Sequence, residues 1–196
     1  MPEPRKIGLL GGTFDPVHRG HVHVAEVAAK SLALDEIRFL PCRISPHKTA
    51  TTPAPARDAD RLEMLRLATA SLPWAVVDDC EVRRIGPSFS YQTAAAMAAR
   101  FPTARLFWIM GCDQWEALPR WEKPQRLAAL VEFIVITRGN HPQPRDGYVL
   151  HPVNDDHPAS ASVIRAAIAC GVTTHPWLTP TVAKYITERR LYHGSS

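Results

Sequence analysis

The chain has 196 residues, 45% of them hydrophobic and 21% charged, with a formal net charge of +4. That length suits one domain with a sizeable core, and the composition excludes disorder as the main state. Lys and Arg are scattered, with only short pairs such as Arg83-Arg84 and Arg189-Arg190, too thin for a nucleic-acid stripe. No apolar run approaches the roughly eighteen residues of a membrane span.

The first apolar run predicts a strand over Lys6–Leu10, and Gly11 to His21 follows it as Gly-Gly-Thr-Phe-Asp-Pro-Val-His-Arg-Gly-His. A helix over His21–Leu32 comes next. Strand, Gly-rich turn and helix is the layout in which backbone N–H groups and a helix N-terminus converge on an anion. His18 and His21 are three apart with Gly20 between them, so both imidazoles can face the phosphate that the turn cradles. Neither a P-loop nor a G-x-G-x-x-G fingerprint is present. His23 lies about 200° around the helix from His21 and reads as structural.

Further strands are predicted at Glu36–Pro41, Ala75–Asp78, Arg105–Met110 and Glu132–Thr137, with a shorter one at Tyr148–His151. Helices are predicted at Asp58–Ser71, Tyr91–Arg100, Gln114–Leu118, Pro124–Leu130, Ser162–Ala169 and Pro180–Arg189. Alternation of this kind implies an α/β fold with a central parallel sheet and helices on both faces. The Pro and Thr cluster from Lys48 to Pro55 and the stretch Asn140 to Pro144 read as surface connections within one unit. Cys42, Cys80, Cys112 and Cys170 form no C-x-x-C pair, and Met1-Pro2-Glu3-Pro4 is no secretory leader, so the thiols read as reduced and the protein as cytoplasmic.

Ligands of open α/β sheets bind beyond the carboxyl ends of strands. Polar residues just past those ends should therefore share the pocket of the Gly11–His21 turn: Ser45 to Lys48, Gly111-Cys112-Asp113 and Thr137-Arg138. Attack of a phosphate oxygen on the α-phosphorus of a nucleoside triphosphate needs alignment and charge neutralisation more than covalent help. His18 and His21 can donate to phosphate oxygens, Lys48 supplies a point charge, and an arginine supplies a planar fork for departing pyrophosphate. Arg165 is the best arginine, one turn into a helix opened by Ser160 and Ser162. His47, in a Pro-flanked loop, reads as solvated, and so do Asp155 and Asp156 beside His157, despite the look of a metal cluster. Trp74 and Trp108 read as core, and Arg138 is divided between substrate phosphate and a surface role.

The eleven-residue turn resembles the H-x-G-H signature of nucleotidyltransferases, in the form G-G-T-F-D-P-x-H-x-G-H of bacterial nicotinate mononucleotide adenylyltransferases. Ser160-Ala161-Ser162-Val163-Ile164-Arg165 is similar to the S-S-T-x-I-R signature of that family, Pro46-His47-Lys48 to its P-x-H-K, and Gly111-Cys112-Asp113 to its G-x-D. Leu118-Pro119-Arg120-Trp121 resembles its tryptophan region, and Pro180 to Tyr192 its C-terminal ending. The sequence departs from the family at Phe89-Ser90, where Tyr-Thr is common, and at Glu122, where an aromatic is common; both places belong to the acceptor side.

The resemblance implies a single Rossmann-like nucleotidyltransferase domain over residues 1–196, with a helical portion from about 160 packed on it. It implies adenylyl transfer from ATP to nicotinate mononucleotide in NAD biosynthesis, with Mg²⁺ brought by ATP and with neither nucleic acid nor membrane as partner. His18, His21, Lys48 and Arg165 are the implied catalytic residues. Gly11, Gly12, Thr13, Phe14, Gly20, Gly111, Asp113, Ser160, Ser162 and Ile164 are implied around ATP together with His18, His21 and Arg165. Thr13, Lys48, Ser88, Ser90, Trp121 and Arg138 are implied around nicotinate mononucleotide, with Trp121 stacked on the ring. No protein ligand of the metal is implied. Nicotinamide mononucleotide and phosphopantetheine are alternative acceptors, though phosphopantetheine enzymes usually carry Thr where His18 stands. A catalytically silent nucleotide-binding regulator is the alternative from another class, and it predicts loss of at least one of the four catalytic residues.

Overall fold

The structure, a computed structural model, describes residues 3–46, 54–139 and 141–193. Six strands, β1 Lys6–Gly12, β2 Glu36–Pro41, β3 Ala75–Val77, β4 Arg105–Gly111, β5 Glu132–Thr137 and β6 Leu150–Asn154, form one sheet in the order β3-β2-β1-β4-β5-β6. Every neighbouring pair is parallel. The winding direction reverses between β1 and β4, the position at which a doubly wound sheet leaves a crevice above its carboxyl edge.

Side chains alternate between the faces with the two-residue period of a strand. Leu10, Phe39, Phe107, Ile109, Ile134 and Ile136 pack on one face against α1 Arg19–Leu32, α2 Asp58–Thr69, α7 Ala161–Ala169 and α8 Pro180–Glu188. Ile7, Leu9, Trp108, Met110, Phe133 and Val135 pack on the other against α4 Ser90–Arg100, α5 Cys112–Ala117 and α6 Pro124–Ala128. Burial on both faces explains why these strands read as nearly continuous apolar runs. Helix α8 starts with Pro180 behind the Thr179 cap, whose Oγ1 accepts from the N–H of Val182 at 3.3 Å. It docks on α2 through the Tyr185 hydroxyl, which donates to the buried Asp60 carboxylate at 2.9 Å.

Strand and helix positions follow the sequence pattern closely, with differences at the ends. Strand β1 runs on to Gly12, and α1 begins at Arg19 because His18 stands at its cap. The single turn α3, Cys80–Arg83, has no counterpart in the pattern, since four residues are too few to show a period. It is started by the Asp78 carboxylate, which accepts from the N–H of Cys80 at 3.1 Å. Strand β6 lies two or three residues beyond its expected place and includes Pro152, which an edge strand tolerates. No helix among the described residues is long and apolar enough to cross a membrane.

Candidate active site

Two cavities open above the carboxyl ends of β1 and β4 and share Gly11, Gly12, Thr13, Asp113 and Gln114. The larger, of about 650 Å³, is lined further by Phe14, His18, Gly20, His21, Gly111, Cys112, Arg138, Asp155, His157 and Arg165. The smaller, of about 530 Å³, is lined by Cys42, Ser45, Pro46, Glu81, Ser88, Ser90, Trp108, Arg120 and Trp121. A site divided in this way suits two substrates that meet at the Gly11–Thr13 turn.

The backbone sets the histidine pair. The N–H of His18 donates to Nδ1 of His21 at 3.2 Å, so Nδ1 is unprotonated and the neutral ring carries its proton on Nε2. The two rings stack with centroids 3.7 Å apart. Burial pulls the His18 pKa down to about 4, with His157 adding to the effect. Enclosure by the protein, then the neighbouring His18, holds His21 well below the ordinary imidazole range. Both rings are therefore neutral near pH 7 and can donate a hydrogen bond without carrying charge. Phe14 meets His21 edge-on at 4.9 Å and adopts a left-handed backbone with φ of 51°.

Arg165 is tied to the same turn. Its Nη1 donates to the Asp15 carbonyl at 2.7 Å, and its side chain is one-third exposed on the larger cavity. Asp15 is a hub although the sequence pattern assigns it nothing: its Oδ1 accepts from the Tyr192 hydroxyl at 2.7 Å and from the N–H of Ala56 at 3.0 Å. Beneath the turn lies Arg61, wholly buried. Its guanidinium donates to the carbonyls of Thr13 at 2.6 Å, Cys42 at 2.7 Å and Ala56 at 3.1 Å. On the smaller cavity Glu81 is also buried, accepts from Thr93 Oγ1 at 2.7 Å, and has its pKa raised, chiefly by burial. Ser88 Oγ accepts from the N–H of Arg43 at 3.1 Å, so this wall is linked back to the segment after β2.

Most residues expected at the site come together, from segments far apart in the chain. Thr13 and Asp113 border both cavities, Gly111 the larger, and Ser88, Ser90 and Trp121 the smaller. Arg138 lies on the cavity of the histidines and not, as expected, on that of Trp121; its Nη2 donates to the His157 carbonyl at 3.1 Å. Ile164 is buried in the core, so its side chain does not reach the cavity. Ser160 is the cap residue of α7, and its hydroxyl pairs with that of Ser162 at 2.8 Å. Trp108 is core, as expected, but also walls the smaller cavity. His47 and Lys48 lie outside the described residues.

The segment before α7 departs from its solvated reading. Asp156 is three-quarters exposed, whereas Asp155 is largely buried and pairs with Nε2 of His23 at 2.8 Å. No group of three or more His, Cys, Asp or Glu among the described residues is arranged to hold a metal ion. Sequence reasoning missed Glu81 on the smaller cavity and Arg61 beneath the turn. A single arginine or glutamate in the chain looks like a surface position, and only their tertiary partners mark them.

Comparison with known proteins agrees with this architecture. The cytidylyltransferase-like family pattern matches residues 9–167. The chain is 37% identical over 202 residues to a probable nicotinate-nucleotide adenylyltransferase of Neisseria meningitidis serogroup B, covering 96% of this chain and 98% of that protein. It is 36% identical over 187 residues to a protein of the same description from Geobacillus kaustophilus, covering 95% and 86%. In fold it is similar to the Plasmodium falciparum nicotinic acid mononucleotide adenylyltransferase solved in complex with NaAD, with a TM-score of 0.73, 18% identity and coverage of 96% and 97%. With a relative this similar along its whole length, the chain belongs to the nicotinate-nucleotide adenylyltransferase family.

Proposed function

We propose that this chain transfers the adenylyl group of ATP to nicotinate mononucleotide, forming nicotinate adenine dinucleotide and pyrophosphate, as a cytoplasmic step of NAD biosynthesis. The observation that carries the proposal is the pair of cavities sharing one floor at Gly11–Thr13, with two neutral imidazoles and Arg165 on one side and Ser88, Ser90 and Trp121 on the other. A phosphate oxygen of the acceptor attacks the α-phosphorus, the bond from the α-phosphorus to the bridging oxygen breaks, and pyrophosphate departs.

His18 and His21 donate to the α- and β-phosphate oxygens, where charge builds in the transition state. Arg165 and Lys48 counter the charge of the departing pyrophosphate. The nucleotide is bounded by Gly11, Gly12, Phe14, Gly20 and Gly111, with Asp113 on the ribose side and Ser160 and Ser162 at the start of α7. Arg138 is proposed here on the nucleotide side. Trp121 stacks on the pyridine ring, and Thr13, Ser88 and Ser90 receive the acceptor.

Because both imidazoles are uncharged near neutral pH, they leave most of the triphosphate charge to other groups. That division of labour suits a substrate presented as Mg²⁺-ATP, the ion neutralising phosphate oxygens and keeping several waters. Cys80, Cys112 and Cys170 form no disulfide, which supports a reducing compartment. To test the proposal, the protein is incubated with Mg²⁺-ATP and nicotinate mononucleotide, nicotinamide mononucleotide or phosphopantetheine in turn, and pyrophosphate is measured. Release is expected with nicotinate mononucleotide at the highest kcat/KM; none with that acceptor would overturn the proposal.

A further inference from the structure

His157 lies outside the motifs that resemble the family, yet it stands beside the histidine pair. Gly20 makes this possible. A Cβ added to Gly20 would lie 3.0 Å from Nδ1 of His157 and 3.1 Å from Nδ1 of His18, so the two rings approach one another over a bare backbone. His18 stacks in turn on His21, and all three rings border the larger cavity.

The backbone sets His157 as it sets His21. The N–H of Ala159 donates to Nδ1 of His157 at 3.1 Å, so the neutral ring carries its proton on Nε2. Groups around it hold that ring in place: Arg138 donates to its carbonyl at 3.1 Å, and the His23 ring, paired with Asp155 at 2.8 Å, lies 5.1 Å away. Asp156 is turned toward Arg138. Burial, then His23, lowers the pKa of His157, with Asp155 and Asp156 opposing, so the ring is neutral at assay pH. A neutral imidazole with a fixed tautomer, on a cavity wall beside two others, is a ready donor to an oxygen acceptor.

We propose that His157 is a further nucleotide-binding residue, its Nε2–H donating to an oxygen of the adenylyl half of ATP, either on the α-phosphate or on the ribose. The proposal rests on the adenylyl-transfer reading of the site.

Calorimetric titration with Mg²⁺-ATP at about pH 7.5, a unit above the ordinary imidazole pKa, tests it. His157→Phe keeps the bulk and removes the donor, and it is expected to weaken Kd about 3- to 10-fold, the range of one neutral hydrogen bond. His157→Gln restores an N–H and is expected to recover most of that loss. Should the Phe variant fail to fold, His157→Ala takes its place in the same comparison. In steady-state assays the same loss should appear in the KM for ATP, with the acceptor KM within about twofold. If the penalty vanishes with 2′-deoxy-ATP or 3′-deoxy-ATP the partner is a ribose hydroxyl, and if it persists with both the partner is a phosphate oxygen. Equal affinity of wild type and variants for ATP, or a Gln variant as weak as Phe, overturns the inference alone. A wild-type chain that binds no ATP overturns the adenylyl-transfer reading as well.

Discussion

Two imidazolium ions would not stack at 3.7 Å, and the surroundings of His18 and His21 ensure that neither ring is charged near pH 7. In the proposed mechanism the pair offers a phosphate N–H donors on uncharged rings, placed in advance for the charge that develops. Replacing either ring with Ala is expected to lower kcat by about 10²–10³ while moving both KM values by less than about fivefold. Steady-state kinetics of His18→Ala and His21→Ala check this, and a loss confined to ATP affinity at unchanged kcat would assign the rings to binding alone. The pair was legible in the sequence because both members sit within one turn of chain. Their protonation was not, because it depends on burial and on His157, which is more than a hundred residues away.

Among the elements, the turn between β1 and α1 depends on α2 for its shape. Arg61 joins the ends of β1 and β2 to the residues entering α2 by donating to three carbonyls, and a planar fork is the only cationic side chain that reaches all three. Arg61→Lys leaves at least one buried carbonyl unpaired and is expected to cost about 3 kcal/mol, or roughly 6–12 °C in Tm. Well below that Tm, kcat is expected to fall at least tenfold, because Thr13 borders both cavities and shifts with the turn. Calorimetry and kinetics on the same preparation separate the two effects; an unchanged kcat in a destabilised variant would reduce Arg61 to a purely structural part. Nothing in the spacing of α2 marks Arg61. Its neighbours Leu62 and Leu65 define an apolar face in the pattern, and an arginine next to that face reads as solvated until its distant carbonyl partners are known.

At the scale of the whole molecule, the buried neutral histidines make stability depend on acid. His18 has a folded pKa of about 4 against an ordinary value of 6.5, and His21 is lowered as well. Below about pH 6.5 the unfolded chain binds protons that the folded chain refuses, so stability is full above that value and falls as the pH drops toward 4. Near pH 5 the slope from His18 is about 1 kcal/mol per pH unit, and His21 adds to it in the same direction. The carboxylates Asp60, Asp78 and Glu132, whose pKa values are lowered, add their losses only at more acid pH. Urea unfolding at about pH 7.5, 6 and 5 checks the slope, and equal stability at all three would contradict neutral burial of the pair. The sequence by itself determined the alternation of strands and helices, the Gly-rich turn between β1 and α1 and, through the motifs that resemble the family, the adenylyl-transfer activity. Each is written in short-range patterns: period, turn residues and the spacing of motif side chains. Only the tertiary structure decided the order of the strands, the meeting of two cavities at Gly11–Thr13, the move of Arg138 to the side of the histidines, and the placement of Arg61, Glu81 and His157. The reason is physical: the role of a buried polar group is set by what it pairs with, and these partners are brought together by the path of the chain across the sheet.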